Sequence, residues 1–137
     1  MVGRRVEALG GQTVKHTGDG YLLVFSGPTR AIECARAINR DAEGLGLQLD
    51  SGIHTGECKR RGGDLSGMAV HIAARIMSDA EPGMVATSGT VKDLVVGSGL
   101  EFSPRGEREL RGVPGRWAGF SQWQVEPAMG EAAHGLR

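Results

Sequence analysis

The sequence is poor in cysteine and aromatic residues, and it carries no excess of either charge. Its two cysteines, Cys34 and Cys58, match no metal or disulfide spacing, which excludes a disulfide or zinc scaffold and predicts two reduced, small apolar residues, as in a cytoplasmic protein. Sixteen basic residues balance sixteen acidic ones, so we expect no nucleic-acid partner, and a phosphate ligand would need a local site. No apolar run approaches the ~18 residues of a membrane span, and the N-terminus lacks a signal-peptide pattern.

The chain alternates helical and strand patterns, which 23 glycines punctuate. The predicted elements, in order, are a helix end at Gly3–Leu9, a hairpin of Thr13–His16 and Tyr21–Phe25, a helix from Pro28 to Gly44, a strand at Leu47–Ile53, a loop at Lys59–Gly63, a helix at Ser66–Asp79, a strand at Met84–Thr87, a helix from Ser88 to Val96, and an antiparallel set at Leu100–Phe102, Glu107–Leu110 and Ala118–Val125. This order predicts one α+β domain at residues 4–126, followed by a disordered tail at 127–137. A domain seldom opens on the end of a helix, which indicates a missing beginning.

Four polar residues have ordinary structural interpretations. Asp19 lies in a Gly-Asp-Gly hairpin tip, where aspartate is common because it tolerates left-handed backbone. Lys15 is typical of a solvated strand face, and Asp64 of an N-terminal helix cap. His54 is typical of a satisfied strand histidine, because no second ligand stands at metal spacing. The residue pattern alone leaves functional roles open for the first three.

The helix at Ser66–Asp79 carries a polar stripe on a largely apolar surface. His71 and Arg75 are four residues apart and therefore share one face. An arginine is almost never fully buried without a partner. Arg75 is predicted either to pair with Asp79 at the surface or to line a phosphate cleft, where its fixed donors match phosphoryl oxygens.

Four segments, taken in order, resemble the catalytic domain of class III adenylyl and guanylyl cyclases. Val14–Phe25 (VKHTGDGYLLVF) resembles the hairpin of the second metal aspartate, and Ser51–Glu57 (SGIHTGE) resembles the central strand. Gly63–Ile76 (GDLSGMAVHIAARI) resembles the catalytic helix, and Gly106–Val113 (GERELRGV) the closing strand and turn. The resemblance runs from about residue 4 to 125 and implies the family's α+β fold, a ferredoxin-like sheet with helices on it in an α/β sandwich.

The resemblance also implies roles for five residues. Asp19 would be one of two carboxylates that hold a pair of Mg²⁺ or Mn²⁺ ions. Lys15 and Asp64 would read adenine, because a lysine donor meets N1 and a carboxylate accepts from the N6 amino group. Arg75 would brace the phosphates of ATP during its conversion to cyclic AMP and pyrophosphate. His71 stands where the family usually has asparagine, and it can still donate one hydrogen bond to ribose or phosphate.

The family's first metal aspartate lies on a strand that precedes the N-terminal helix, and no such strand is present in this sequence. We therefore expect a sheet whose first strand is missing, and an adenylyl cyclase-family domain that is impaired or inactive. One alternative is an active adenylyl cyclase in a dimer whose partner supplies the missing ligand. Another is a non-catalytic nucleotide-binding or interaction module. A head-to-tail homodimer is expected, with a strand swap as one way to cover the unpaired edge.

Overall fold

The structure is a computed structural model in which residues 2–17, 20–62, 64–113 and 115–122 are described. Its elements, in order, are α1 (Val2–Ala8), β1 (Gln12–Thr17), β2 (Gly20–Val24), α2 (Pro28–Gly44), β3 (Ser51–Ile53), β4 (Lys59–Arg61), β5 (Asp64–Ser66), α3 (Met68–Asp79), β6 (Val85–Ser88), α4 (Gly89–Leu94), β7 (Phe102–Glu109) and β8 (Arg116–Gln122). None of the helices in the described ranges is long and apolar enough to cross a membrane.

The largest sheet in the described part of the chain has four strands in the order β3-β6-β8-β7. β3 pairs in parallel with β6, whereas β8 runs antiparallel to both of its neighbours. The hairpins β1–β2 and β4–β5 are each hydrogen-bonded as separate two-stranded sheets. Among the described strands, β3 therefore forms one edge of the four-stranded sheet.

Helices cover both faces of this sheet. Successive side chains of a strand point to opposite faces, and Val85 and Ala86 on β6 belong to different buried clusters. Val85 packs with residues of α1 and α2, including Val6 and Ile38. Ala86 packs on the other side, in the cluster that contains Ile72 of α3. The predicted α+β sandwich is confirmed.

Helix α2 has the predicted bounds, and α1 lies within one residue of the predicted Gly3–Leu9. Pro28 occupies the first turn of α2, where its missing N–H costs no helical hydrogen bond. α1 ends at Ala8, and the φ of 75° at Gly10 turns the chain so that the Gly11 N–H bonds to the Val6 carbonyl at 2.8 Å. The guanidinium of Arg5 donates two bonds of 2.8 Å to the Asp41 carboxylate.

Helix α3 crosses β3 directly over Gly52. A Cβ atom at this glycine would lie 2.4 Å from both the Ala73 carbonyl oxygen and the Met77 nitrogen. These contacts are with helix backbone, which no side-chain movement can relieve. Gly52 therefore sets the distance at which α3 packs on the sheet.

Several predictions of local structure were wrong. Lys59–Gly63 was predicted as a loop that leads to a helix at Ser66, but strands β4 and β5 form there and the helix starts at Met68. Three-residue strands are too short to produce a clear alternation in sequence. The predicted strand at Leu47–Ile53 is confined to Ser51–Ile53, and Leu47 is exposed.

The closing strands also differ from the prediction. Leu100–Phe102 and Glu107–Leu110 were predicted as separate strands, but a single strand, β7, is observed. Its pairing with β8 continues across a register shift between Pro104 and Gly106.

Both cysteines are free thiols, as predicted. Cys34 is buried, which raises the pKa of its thiol to about 11, whereas Cys58 is exposed and is not the apolar residue that was expected.

Candidate functional site

The strands that carry Lys15 and Asp64 lie next to each other. β1 contacts β5, and Arg60 on β4 donates a 2.7 Å hydrogen bond to the Gln12 side chain on β1. The hairpin β4–β5 is thereby fastened to the hairpin β1–β2. The structure thus places the two strands that carry the predicted purine-reading residues beside each other, while the Lys15 side chain and Asp19 lie outside the described residues.

Asp64 is not the cap of α3. It is exposed at the start of β5, and its Oδ1 accepts a 2.7 Å bond from the Leu65 N–H. The N-cap position of α3 is Gly67, whose φ of 130° few other residues adopt, and no side chain bonds to the cap. The structural interpretation of Asp64 as a helix cap was wrong.

His71, Arg75 and Asp79 form a stripe along α3, because residues four apart share a helix face. The two ends of this polar stripe contact the hairpin β7–β8. Arg105 of β7 donates to the Asp79 carbonyl oxygen at 3.1 Å and approaches its Oδ2 at 3.7 Å. At the other end, the His71 ring lies against Gly112 in the β7–β8 turn. Asp79 is therefore engaged by Arg105, which sequence reasoning had not singled out.

Arg75 is the middle residue of the polar stripe and is partly buried. Its Nε is buried and has no hydrogen-bond partner among the described residues. Leaving a buried donor unsatisfied costs ~1–3 kcal/mol, and more when the group is charged. A buried N–H without a partner is a candidate donor for an anionic ligand.

His54 has a structural role in the described part of the chain. Its Nδ1 lies 2.7 Å from the Ser88 hydroxyl, and its ring meets the Trp117 ring edge-on at a centroid distance of 5.6 Å. Burial lowers the pKa of the imidazole. These contacts agree with the prediction of a satisfied strand histidine.

The described residues do not by themselves fit the metal pair that the resemblance implies. No group of three or more His, Cys, Asp or Glu side chains among them is arranged to hold a metal ion. Asp19, the predicted metal ligand, lies outside the described ranges.

Comparison with known proteins connects this chain to a family. Residues 4–126 match the family model of the adenylate and guanylate cyclase catalytic domain. The chain is 35% identical over 112 residues to a putative adenylate cyclase 3 of Rhizobium meliloti strain 1021, covering 75% of this chain and 19% of the relative. It is 29% identical over 108 residues to a pH-sensitive adenylate cyclase of Mycobacterium tuberculosis strain CDC 1551 / Oshkosh, covering 74% of this chain and 27% of that protein.

Solved structures agree on the fold. A crystal structure of an adenylate/guanylate cyclase/hydrolase from Silicibacter pomeroyi superposes with a TM-score of 0.83 at 26% identity, covering 89% of this chain and 76% of that one. The adenylyl cyclase CyaB of P. aeruginosa has the same fold, with a TM-score of 0.71 at 16% identity, covering 90% of this chain and 77% of that one. The chain spans about a fifth to a quarter of the length of the two curated relatives. Because the family model matches most of the sequence, this chain belongs to the family of adenylate and guanylate cyclase catalytic domains.

Proposed function

We propose that this domain binds ATP and is the adenylyl cyclase-type domain that takes part in converting ATP to cyclic AMP and pyrophosphate. The observation that carries the proposal is the buried Nε of Arg75, which has no hydrogen-bond partner in the described part of the chain. Arg75 lies between two residues of the polar stripe that each contact the hairpin β7–β8. A cation held between fixed neighbours is suited to an anionic ligand such as a triphosphate.

In the proposed reaction, the 3′-oxygen of ATP bonds to its own α-phosphorus, the bond to the pyrophosphate oxygen breaks, and the 3′-hydroxyl proton leaves to solvent. Arg75 would donate to phosphoryl oxygens as negative charge moves onto the leaving pyrophosphate. Donors that are already oriented are worth ~3 kcal/mol in such a transition state. His71, one turn earlier on the same face, would donate to ribose or phosphate.

Selection of adenine is proposed for Lys15 and Asp64. A lysine donor complements adenine N1, and a carboxylate accepts from the N6 amino group, whereas guanine presents O6 and an N1–H and mismatches both. The contact between β1 and β5 supports this pairing because it brings the two strands side by side. Relatives named as adenylate cyclases support the same choice of base.

Divalent metal ions, held in part by Asp19, would activate the 3′-hydroxyl and neutralise the pyrophosphate when bound. The resemblance matches one metal carboxylate within these 137 residues, and the reaction uses two. We therefore expect the polypeptide of 137 residues, assayed alone, to bind ATP more readily than it converts it. A second carboxylate in the same polypeptide or in a partner subunit would restore turnover.

A head-to-tail homodimer is proposed as the assembly in which the purine-reading and metal-binding residues of two copies meet. Size-exclusion chromatography with light scattering is expected to give twice the monomer mass. A stable monomer at all concentrations would contradict this assembly, while leaving ATP binding to be judged by calorimetry.

The first test is Arg75→Ala, measured by titration calorimetry with a non-hydrolysable ATP analogue and Mn²⁺. Affinity is expected to fall roughly tenfold to a hundredfold, since charge-assisted hydrogen bonds are lost. Thermal stability should be equal or higher, because the variant loses no hydrogen bond of the Arg75 Nε and removes a buried donor that has no partner in the described residues. Arg30→Ala is the matched control, since Arg30 is an exposed arginine on α2, a helix of the opposite face. Equal affinities for the two variants would reject the role of Arg75.

The second test is Lys15→Glu, with ATP and GTP analogues titrated in parallel. The variant is expected to weaken ATP binding and to leave GTP binding less affected. A cyclic AMP assay with Mn²⁺ on the same samples separates turnover from binding, and any turnover should disappear in Asp19→Ala. An equal loss for both nucleotides would reject adenine reading by Lys15.

A further inference from the structure

The turn between β7 and β8 approaches α3 at Gly112. A Cβ atom built on this glycine would lie 2.9 Å from the Nε2 atom of His71 and 3.5 Å from its Cε1. The first distance is shorter than real Cβ atoms show, so a side chain at this position would displace the imidazole. The ring of His71 is therefore in contact with the turn backbone.

The turn is fixed to the helix on both sides of this contact. Leu110 and Val113 are both buried, and they pack in one cluster with Ile72 and Ile76 of α3. The turn is closed by a 2.9 Å hydrogen bond from the Val113 N–H to the Leu110 carbonyl. Because Leu110 and Val113 are anchored on α3, Gly112 between them cannot move away from His71 without opening the cluster.

We infer that Gly112 is a positioning residue, which holds the imidazole of His71 in one orientation for the nucleotide. The inference rests on the proposed function for its effect on ATP, but the contact itself is independent of any nucleotide. Glycine suits this position for two reasons: its φ of 77° is one that few other residues adopt, and a Cβ atom there would displace the His71 ring. Without the contact with Gly112, the His71 side chain would sample several rotamers. A catalytic group that is misplaced by about 1 Å can lower the reaction rate by up to ~10²-fold.

The same turn contains a matched control. Gly115 has a φ of 85°, close to that of Gly112, but a Cβ atom there would meet nothing within 4 Å. Gly112→Ala and Gly115→Ala therefore introduce similar backbone strain in one turn, and only the first reaches His71. A difference between the two variants isolates the contact.

The test has a readout that needs no nucleotide. Imidazole NMR signals of His71, assigned with His71→Asn, are expected to shift in Gly112→Ala and to stay unchanged in Gly115→Ala. Calorimetry with the ATP analogue is expected to show about a tenfold loss for Gly112→Ala only. In a His71→Ala background, Gly112→Ala should cause no additional loss.

Each other outcome counts against the inference. Equal NMR shifts in the two alanine variants would mean that strain in the turn, rather than contact with Gly112, moves the ring. A full Gly112→Ala loss in the His71→Ala background would mean that the effect bypasses the imidazole. If Gly112→Ala fails to fold, the shorter side chain of His71→Asn should restore folding, and failure in both backgrounds overturns the inference. Absence of ATP binding by the unmutated protein would reject the proposed function but not the NMR result.

Discussion

The helices α2 and α3 lie on opposite faces of the sheet and differ in how much of their surface is buried. α2 buries seven residues, including the polar Asn39, and its partner α1 is attached to it by the bonds between Arg5 and Asp41. α3 buries three residues, Ala69, Ile72 and Ile76, although its sequence is the more apolar of the two. The rest of α3 is occupied by the polar stripe, by exposed methionines and by backbone in contact with β3.

This difference agrees with the proposal that α3 carries the ligand site. On the α2 side, the exposed polar groups of Arg5 and Asp41 bond to each other. The α3 layer leaves the Nε of Arg75 buried without a partner in the described residues. Perturbing the α2 layer should therefore change stability alone, whereas perturbing the polar stripe should change ligand binding.

The largest expected effect comes from the packing of α3 on the sheet. Gly52→Ala should lower the free energy of unfolding by roughly 3 kcal/mol, since its Cβ would collide with helix backbone. Gly3→Ala in α1 is the control, because a Cβ there meets nothing within 4 Å and alanine is the better helix former, which should stabilise the fold by up to ~1 kcal/mol. Urea unfolding of the two variants measures both effects. A Gly52→Ala variant as stable as the wild type would show that α3 can shift on β3.

A medium effect is expected from His54, which lies beside the α3 layer. His54→Gln should cost about 1 kcal/mol at pH 7.5, because the bond to the Ser88 hydroxyl is lost. Burial lowers the pKa of His54 in the folded protein below the ordinary imidazole value of 6.5. At a pH below 6.5, the unfolded chain therefore binds a proton at His54 more readily than the folded protein does. Stability of the wild type should therefore fall as the pH drops from 7.5 to 5, and less steeply in the variant.

Unfolding midpoints at several pH values, with wild type and His54→Gln compared, check this prediction. The comparison removes the contributions of the other three histidines, which the two proteins share. Identical pH profiles would contradict a neutral, buried His54.

The smallest effect is expected in the α2 layer, at the pair of Arg5 and Asp41. The Arg5 side chain is 44% exposed, and exposed pairs contribute ~0.2–1 kcal/mol. The hydrogen bond and charge of Arg5 lower the pKa of Asp41, so the contribution is present at neutral pH and is lost as the pH falls below about 4.

Asp41→Asn should therefore be slightly less stable than wild type at pH 7 and equally stable near pH 3. High salt should also reduce the difference, because salt screens exposed charges. Nucleotide affinity should be unchanged in this variant. A loss of affinity comparable to that of Arg75→Ala would contradict the division between a structural α2 layer and a ligand-binding α3 layer.

The residue pattern by itself predicted the two main helices and the strong turns. Pro28 and Gly10 act on their own neighbours in the chain, through a fixed φ in one case and a left-handed φ in the other, so their effects can be read locally. The polar stripe was also predicted, because a spacing of four residues is a property of any helix. The resemblance to the cyclase family, carried by four short segments, is confirmed by the match of residues 4–126.

The tertiary structure decided which partner each polar group meets. Asp79 is engaged by Arg105, which is 26 residues away, while Arg75 keeps a buried Nε without a partner in the described chain. Gly112 touches His71 only because β7 and β8 return to α3. Local spacing determines which residues share a helix face. Contacts between distant segments depend on how the sheet brings those segments together, so they could not be predicted from spacing alone.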